Sequence, residues 1–430
     1  MPWYLALSGS VLIILAGTYK KYNIGLIMVL AAAVLGLLSG LPAAGYLETL
    51  QAGILNEITI MLILGIILIG ILGHVLKGTG AMKDIIDQLH QMVANSCLIA
   101  AALPMLIGML AVPGGAVMSA PLCEATGKRL QMSPVRLAAV NNWFRHVLYF
   151  TFPLFPSLIV ASGLSGVSLG LIFIHNLPLT IAGTIGGYYL LFRGFPCRAV
   201  DHNSDLNMPA ASVSNGDSPA DQTGGRKPFL LIWSLAPILL ALALVLLFNL
   251  YFPLALSAGL VLALLYGLPS RGRAEVIAGR LRTMILPGVN LTVAFVIVGI
   301  MLYKEMLSQT GVIASLASEV LELGLPVLAL VMGVSFMVGL LTGDNTASIA
   351  ILVPLLLPLI SREGAAVSAC VAFLYACSTA GHIISPAHPC FALTKEYFGV
   401  EAKTFVGLTL PLLALVLTVS LVLTLLLGSC

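Results

Sequence analysis

The chain has 430 residues, of which 59% are hydrophobic and 9% charged, with a mean hydropathy of +1.07. No water-soluble core of that length can hide so much apolar surface, so the composition excludes a soluble globule and points to a polytopic helical membrane protein. The formal net charge of +3 is small, gives no sign of a nucleic-acid partner, and is informative only in its distribution.

In chain order the apolar runs predict spans at Trp3–Tyr19, Ile24–Ser39 and Ile58–Leu76, then an amphipathic piece at Met82–Val93. The first run has no basic residue before it and Lys20-Lys21 after it, the reverse of a cleavable secretory signal, and reads as a retained helix. Cys97–Lys128 is an apolar run broken at its centre by Pro113-Gly114-Gly115, residues that end one helix and permit the tight turn that starts another. Val135–Val160 follows, containing Asn141, Asn142, Arg145, His146 and the pair Pro153-x-x-Pro156, and Gly166–Phe192 closes the first half. Arg193–Lys227, rich in Asp, Asn, Ser, Gly and Pro, reads as a flexible linker.

The second half supplies Phe229–Phe248, Phe252–Leu268, Ile285–Tyr303, an amphipathic piece at Val312–Leu323, the run Leu325–Ser361, then Ala365–Ala392 and Thr404–Leu427. Leu325–Ser361 is interrupted at Thr342-Gly343-Asp344-Asn345-Thr346. Each of its arms has roughly 15–17 apolar residues, about 25 Å of helix, which falls short of a ~30 Å hydrocarbon core. Both interrupted runs therefore read as re-entrant hairpins. The seven cysteines (Cys97, Cys123, Cys197, Cys370, Cys377, Cys390 and Cys430) form no CxxC, and neither a disulfide framework nor a metal cluster is expected from their spacing.

The order of elements is the same in both halves, and the offset drifts slowly: Trp3 to Phe229 is 226, while Pro153 and Pro156 map to Pro386 and Pro389 at 233 each. The pattern predicts an all-α membrane fold of two repeats, 1–193 and 228–430. Each repeat has five spanning helices, one of them discontinuous, and a re-entrant hairpin. Five is odd, so the second repeat is inverted. The broken helices are expected at about 135–160 and 365–392, and the hairpins at about 97–128 and 325–361. With ten crossings, one face collects all of the 20 Lys and Arg except Lys304, Arg362 and Arg145. The positive-inside rule makes that face, with linker 194–227, cytoplasmic and leaves both termini outside.

Irregular backbone at membrane depth is tolerated where it is buried in protein or lines a cavity, so four breaks are expected to converge at the midplane. Helix starts there offer N–H groups to anions, and helix ends offer carbonyls to cations. Asp344 lies at one tip, and a carboxylate at that depth costs about 2.5–3.5 kcal/mol on insertion scales. It reads either as part of an ion or substrate site or as a helix cap with Asn345 or Thr346. Arg145 is placed near mid-depth, in a stripe with Asn141 and Tyr149 at i, i+4, i+8. It reads as an anion ligand or as a buried partner of Asp344. His146, His382 and His388 read as packing residues or as a proton relay.

VPGGAVMSAPLCE (112–124), NNWFRHVLYFTFPLFPSLI (141–159), GLLTGDNTAS (339–348) and ISPAHPCFALTKEYF (384–398) resemble the prokaryotic membrane family known as domain of unknown function 401. That family sits in the ion transporter superfamily beside gluconate, citrate and dicarboxylate permeases. The resemblance implies two inverted repeats, a homodimer and elevator-type secondary transport in the cytoplasmic membrane of a prokaryote. Sodium/dicarboxylate relatives carry Ser-Asn-Thr at both tips, whereas here only Asn345-Thr346 follows that pattern.

The expected function is transport of a small carboxylate-type anion, coupled to H⁺ or Na⁺, without an enzymatic step, a cofactor or a resident metal. An ion channel and an intramembrane hydrolase using Asp344 are the alternatives. The expected substrate ligands are Gly114, Gly115, Ser119, Asn142, Arg145, His146, Asn345, Thr346, Ser378, Thr379 and His382. The expected coupling residues are Asp344, Thr342, Ser385 and His388. No G-x-x-x-x-G-K-[ST] phosphate loop is present, which argues against ATP coupling.

Overall fold

The computed structural model describes residues 2–427 apart from 21, 82, 83, 86, 87, 89–94, 110–115, 196, 198–227, 249, 268–273, 290, 313, 314, 316–318, 320–325 and 363–365. The regular elements among the described residues are helices. The first half supplies α1 (Trp3–Tyr19), α2 (Ile24–Leu38), α3 (Ala43–Ile54), α4 (Glu57–Gly78), α5 (Ser96–Gly108), α6 (Ala116–Arg129), α7 (Pro134–His146), α8 (Pro156–Ser165) and α9 (Leu169–Phe192). The second supplies α10 (Pro228–Leu246), α11 (Phe252–Gly267), α12 (Ala274–Ile285), α13 (Leu291–Gln309), α14 (Val327–Thr342), α15 (Asn345–Arg362), α16 (Val367–Ile383), α17 (Pro389–Phe398) and α18 (Ala402–Leu427).

Side-chain chemistry sets the helix ends. Asn23 accepts from the Leu26 N–H at 3.2 Å to start α2, and Asn95 accepts from Cys97 and Leu98 to start α5. Proline occupies the first turn of α7, α8 and α17, where its missing N–H has no helical partner to lose. Gly166, Gly343 and Gly399 end α8, α14 and α17 in the left-handed region, with φ of 73°, 63° and 62°.

By length and composition α4, α9 and α18 are each able to cross a bilayer. On α9, Leu171, Ile174, Leu177, Ile181 and Ile185 form one exposed stripe, an apolar face that water would penalise and lipid accommodates.

One body is built from α1–α4 with α10–α13. In it α13 packs on α2, α3 and α4, and α11 packs on α4 and α10. Gly299 of α13 lies directly against the Gly25 carbonyl of α2, leaving no room for a Cβ. The other body contains both helical hairpins. Within it α5, α6 and α7 pack on one another, as do α14, α15 and α16. The hairpins are also exchanged between halves: α15 packs on α8, and α17 packs on α6 and α7. The bodies meet where α13 touches α15, α1 touches α14, α4 touches α8 and α9 touches α10.

Helix pairs α5/α6, α7/α8, α14/α15 and α16/α17 lie where the interrupted runs are expected, while two details differ. Helix α3 was not anticipated: at 12 residues and with Glu48 and Gln51 in it, it is too short and too polar to register as a span. The run expected at Ile285–Tyr303 instead begins at Leu291 and continues to Gln309, because Pro287 interrupts it with a 3₁₀ turn at Leu286–Gly288 after α12. The amphipathic pieces at Met82–Val93 and Val312–Leu323 lie largely outside the described residues, as does nearly all of the linker.

The expectation about cysteines is also corrected, since Cys97 and Cys197 form a disulfide across a separation of 100 residues, with Cα atoms 5.3 Å apart. Cys370 is disulfide-bonded as well, while Cys123, Cys377 and Cys390 are free and buried. Spacing carried no hint of this, because only folding brings the start of α5 beside the end of α9. Arg136 stacks over Phe195 with its guanidinium carbon 4.9 Å from the ring centroid and donates to the Arg193 carbonyl at 3.2 Å, so basic residues crowd the same end.

Closing a loop of that size is worth about 4.7 kcal/mol by chain entropy, and native disulfides typically deliver about 2–4 kcal/mol. Cys97→Ser and Cys197→Ser should each lower the thermal midpoint in detergent, and the double variant should fall no further. Additive losses would show that the two sulfurs act independently.

Candidate functional site

Two helix breaks face each other inside the second body. At the first, α7 ends at His146, a 3₁₀ turn follows over Val147–Phe150, and α8 restarts at Pro156. Because the α-helix stops at His146, Tyr149 lies on the 3₁₀ turn, and the stripe expected through Asn141, Arg145 and Tyr149 bends there. At the second break, α16 ends at Ile383 and α17 restarts at Pro389.

The hairpin tip is pressed into the second break by glycine. A Cβ on Gly339 of α14 would strike the Ser378 carbonyl, and one on Gly381 of α16 would strike the Phe336 carbonyl, so these helices meet backbone to backbone. Gly343, which needs its left-handed φ to end α14, has no space either: a Cβ would come within 2.7 Å of Ala387 Cβ and His388 N. The first hairpin is fitted in the same manner, with Gly108 of α5 against the Arg145 carbonyl.

Asn345 joins the tip to both breaks. Its Nδ2 donates to Ser157 Oγ of α8 at 3.2 Å and to Thr379 Oγ1 of α16 at 3.0 Å, and its Oδ1 accepts from Ser378 Oγ at 2.8 Å. Ser157 is 3.0 Å from Tyr375 Oη, which donates to the Tyr149 carbonyl at 2.8 Å. Five buried side chains from three helices, α15, α8 and α16, thus complete one another's hydrogen bonds.

A second polar group sits at the tip itself. The Asp344 carboxylate accepts the Ala347 N–H at 2.9 Å, which makes it the cap of α15, and the residue is half-buried. Thr342 Oγ1 and Ser348 Oγ are 2.6 Å apart, and both lie against the Asp344 carbonyl, at 3.2 and 2.8 Å. Ser385 serves the backbone, donating to the Leu340 carbonyl at 2.6 Å and accepting from the Ala387 N–H at 3.2 Å.

The histidines form the third group. His146, His382 and His388 are all buried, and each places one ring nitrogen within 4.8 Å of the others. His146 Nε2 is 2.9 Å from His388 Nε2, and its Nδ1 is 2.6 Å from the Asn142 carbonyl. Tyr149 packs beside His146, with centroids 5.0 Å apart. Arg145, 1% exposed, precedes His146 on α7. Asn142 donates to the Ile383 carbonyl at 3.1 Å, and Asn141 donates to Thr394 Oγ1 at 3.1 Å, which fastens α7 to both sides of the second break.

Of the sequence-predicted residues, Asn345, Ser378 and Thr379 come together in one network, Thr342 and Asp344 in another, and the three histidines in a third. Asn142 and Ser385 brace backbone, Thr346 is half-buried in the first turn of α15, and Ser119 is fully buried on α6. Gly114 and Gly115 lie outside the described residues. Ser157, Ser348, Tyr375 and Thr394 were not singled out. Tyr375 had a visible signal, since Tyr375, Ser378, Thr379 and His382 recur at three- and four-residue spacing along one face of α16.

An all-helical chain with apolar faces outward and polar networks enclosed is a multi-pass membrane protein. It belongs to the family described as protein of unknown function DUF401, whose profile matches residues 4–208 and 223–428. No functionally curated protein matches it. Among solved structures it is similar to the YdaH transporter of Alcanivorax borkumensis, a crystal structure described as having an unusual topology. The TM-score is 0.63 at 18% identity, over 94% of this chain and 96% of that one. At that identity the likeness establishes the fold.

Asn345→Ala deletes three buried hydrogen bonds and leaves Ser157, Ser378 and Thr379 to find new partners. At about 1 kcal/mol net per bond the expected loss is about 3 kcal/mol. Thr379→Val in the Asn345→Ala background should cost less than it does alone. A melting midpoint unmoved by Asn345→Ala would mean that this network does not hold the tip.

Proposed function

We propose that the protein is a secondary active transporter that carries a small carboxylate-type anion across the membrane by elevator-type alternating access, coupled to H⁺ or Na⁺. One observation carries this reading. The hairpin tip at Asn345 is tied by side chains to the helix breaks of both halves, at a buried polar centre inside a shell of apolar helices. A centre of that kind has no place in a purely structural bundle, because each polar group taken into the hydrocarbon region needs its own partner. The fold likeness to a transporter supports the same class.

In this reading residues 1–193 and 228–430 are two inverted repeats, and the reciprocal packing of α15 on α8 and of α17 on α6 agrees with that symmetry. The body of α1–α4 and α10–α13 is the scaffold, and the body holding the hairpins moves against it. Arg145 attracts the anion, with the N-terminal turns of α8, α15 and α17 as further donors. Asp344 and the oxygens of Thr342 and Ser348 receive the coupling cation, as hard cations prefer oxygen. When a cation or proton neutralises Asp344, the tip no longer carries a net charge and closes over the bound anion.

Reconstituted protein should show saturable counterflow of a small carboxylate that depends on a Na⁺ or pH gradient. Arg145→Ala removes a charge-assisted hydrogen bond of about 1.5–3 kcal/mol and should reduce uptake by about 10- to 100-fold. Asp344→Asn keeps a good helix cap, so the protein should fold and still bind the anion but lose its cation dependence. Flux that rises linearly with substrate would instead indicate a channel, and peptide cleavage lost in Asp344→Asn would indicate a hydrolase.

A further inference from the structure

We propose that His146, His382 and His388 form a binding site for a divalent cation of the zinc, cobalt and nickel class. The site joins the break after α7 to the break between α16 and α17, and it is separate from the group of oxygens at Asp344, Thr342 and Ser348. Metal binding at the trio does not depend on the transport reading, and it is measurable on protein that transports nothing.

Distance supports the assignment first. Ligand nitrogens on a zinc ion with bonds of about 2.0–2.1 Å stand roughly 3.3 Å apart in a tetrahedral site. Here the closest pair is 2.9 Å apart, and all three lie within 4.8 Å of one another. Small ring rotations therefore bring them onto one ion, and no helix has to move.

Protonation supports it second. The Asn142 carbonyl is only an acceptor, so the 2.6 Å contact requires His146 Nδ1 to carry the hydrogen. That leaves the Nε2 lone pair facing His388 Nε2. A ring nitrogen held by a backbone carbonyl while the other faces inward is the usual support for a metal-bound histidine.

The third observation is His382. It is 4% exposed, yet neither of its ring nitrogens reaches a partner in hydrogen-bonding geometry. A buried group left unsatisfied in this manner is rare in native proteins and calls for an explanation such as an ion. The Gly343 backbone lies close to both His382 and His388 but makes no hydrogen bond of good geometry to the His382 ring. Imidazole donors suit borderline transition metals, whereas Na⁺, Mg²⁺ and Ca²⁺ prefer oxygen. The neighbouring Arg145 acts electrostatically on His146 and His388 and opposes a cation there, so the three imidazole ligands have to outweigh it. Three nitrogen ligands leave a coordination position open, as in zinc sites that exchange a small ligand.

The test uses the full chain in detergent after treatment with a chelator. Equilibrium dialysis against ZnCl₂ should load one ion per chain, CoCl₂ should give visible d–d absorption, and the thermal midpoint should rise with either ion and not with MgCl₂ or CaCl₂. His146→Gln and His388→Gln should abolish loading, while His175→Gln, on α9 and bonded to Ser368 at 3.1 Å, should retain it. X-ray absorption of the zinc-loaded wild type should show three imidazoles, a readout that stands even if a histidine variant does not fold. Absence of zinc binding in the wild type, fewer than three imidazoles, or full loading in His388→Gln overturns the proposal.

Discussion

A helix that stops in the middle of a bilayer releases peptide groups that lipid cannot satisfy, and each one left bare costs several kcal/mol. The second body of this protein is arranged around meeting that demand twice. At the break after α7, the Tyr149 carbonyl takes the Tyr375 hydroxyl; at the break after α16, the Ile383 carbonyl takes the Asn142 amide and the Ala387 N–H finds Ser385. These donors come largely from the opposite half of the chain. Each break is therefore completed in part by the opposite half of the chain, in keeping with the packing of α15 on α8 and of α17 on α6 and α7. Glycine makes it sterically possible, because Gly339 and Gly381 let α14 and α16 approach closely enough for the tip to reach the break.

Those breaks were legible in the sequence because they rest on local chemistry. Pro153 and Pro386 have no N–H to give a helix, Pro156 and Pro389 suit the first turn of a new one, and Gly343 permits a left-handed turn before the α15 cap at Asp344. Cys97 and Cys197 were not legible, since nothing local distinguishes a buried apolar cysteine from one that folding will bring to a partner 100 residues away. The gathering of the histidines was hidden for the same reason. His382 and His388 are six residues apart in the chain, but His146 joins them only through the crossing of α7 over the second break. Helix α3 was missed on another ground: its buried positions are Gly45, Thr49 and Gly53, so it packs through small residues and has no apolar stripe to announce it.

Charge and sulfur give opposite indications about the two faces. On the ten-crossing reading of the sequence all but three of the 20 Lys and Arg fall on the side that the positive-inside rule makes cytoplasmic, and Arg136 and Arg193 of that set stand beside the Cys97–Cys197 bond. Disulfides are rare in a reducing compartment. Burial shields the bond on one side only, since Cys97 is fully enclosed while Cys197 is half-buried, and a reductant that works by thiolate attack needs access to just one of the two sulfurs.

The magnitudes at the hairpin tip separate capping from a role for charge. A side-chain cap on α15 is worth about 1 kcal/mol, and Asn provides it about as well as Asp. Carrying a carboxylate to mid-depth costs about 2.5–3.5 kcal/mol on insertion scales. Asp344 therefore costs more than its cap returns, by an amount that asparagine would spare. Among the described residues its carboxylate is met by backbone N–H groups of its own helix, Ala347 at 2.9 Å and Thr346, and the Thr342 and Ser348 hydroxyls on its carbonyl contribute neutral dipoles. What offsets the remainder must bring positive charge to the tip. An arginine held permanently against it would do so at the expense of any response, whereas in the proposed transport cycle a proton or cation that comes and goes would make the closure of the hairpin depend on which side of the membrane supplies it.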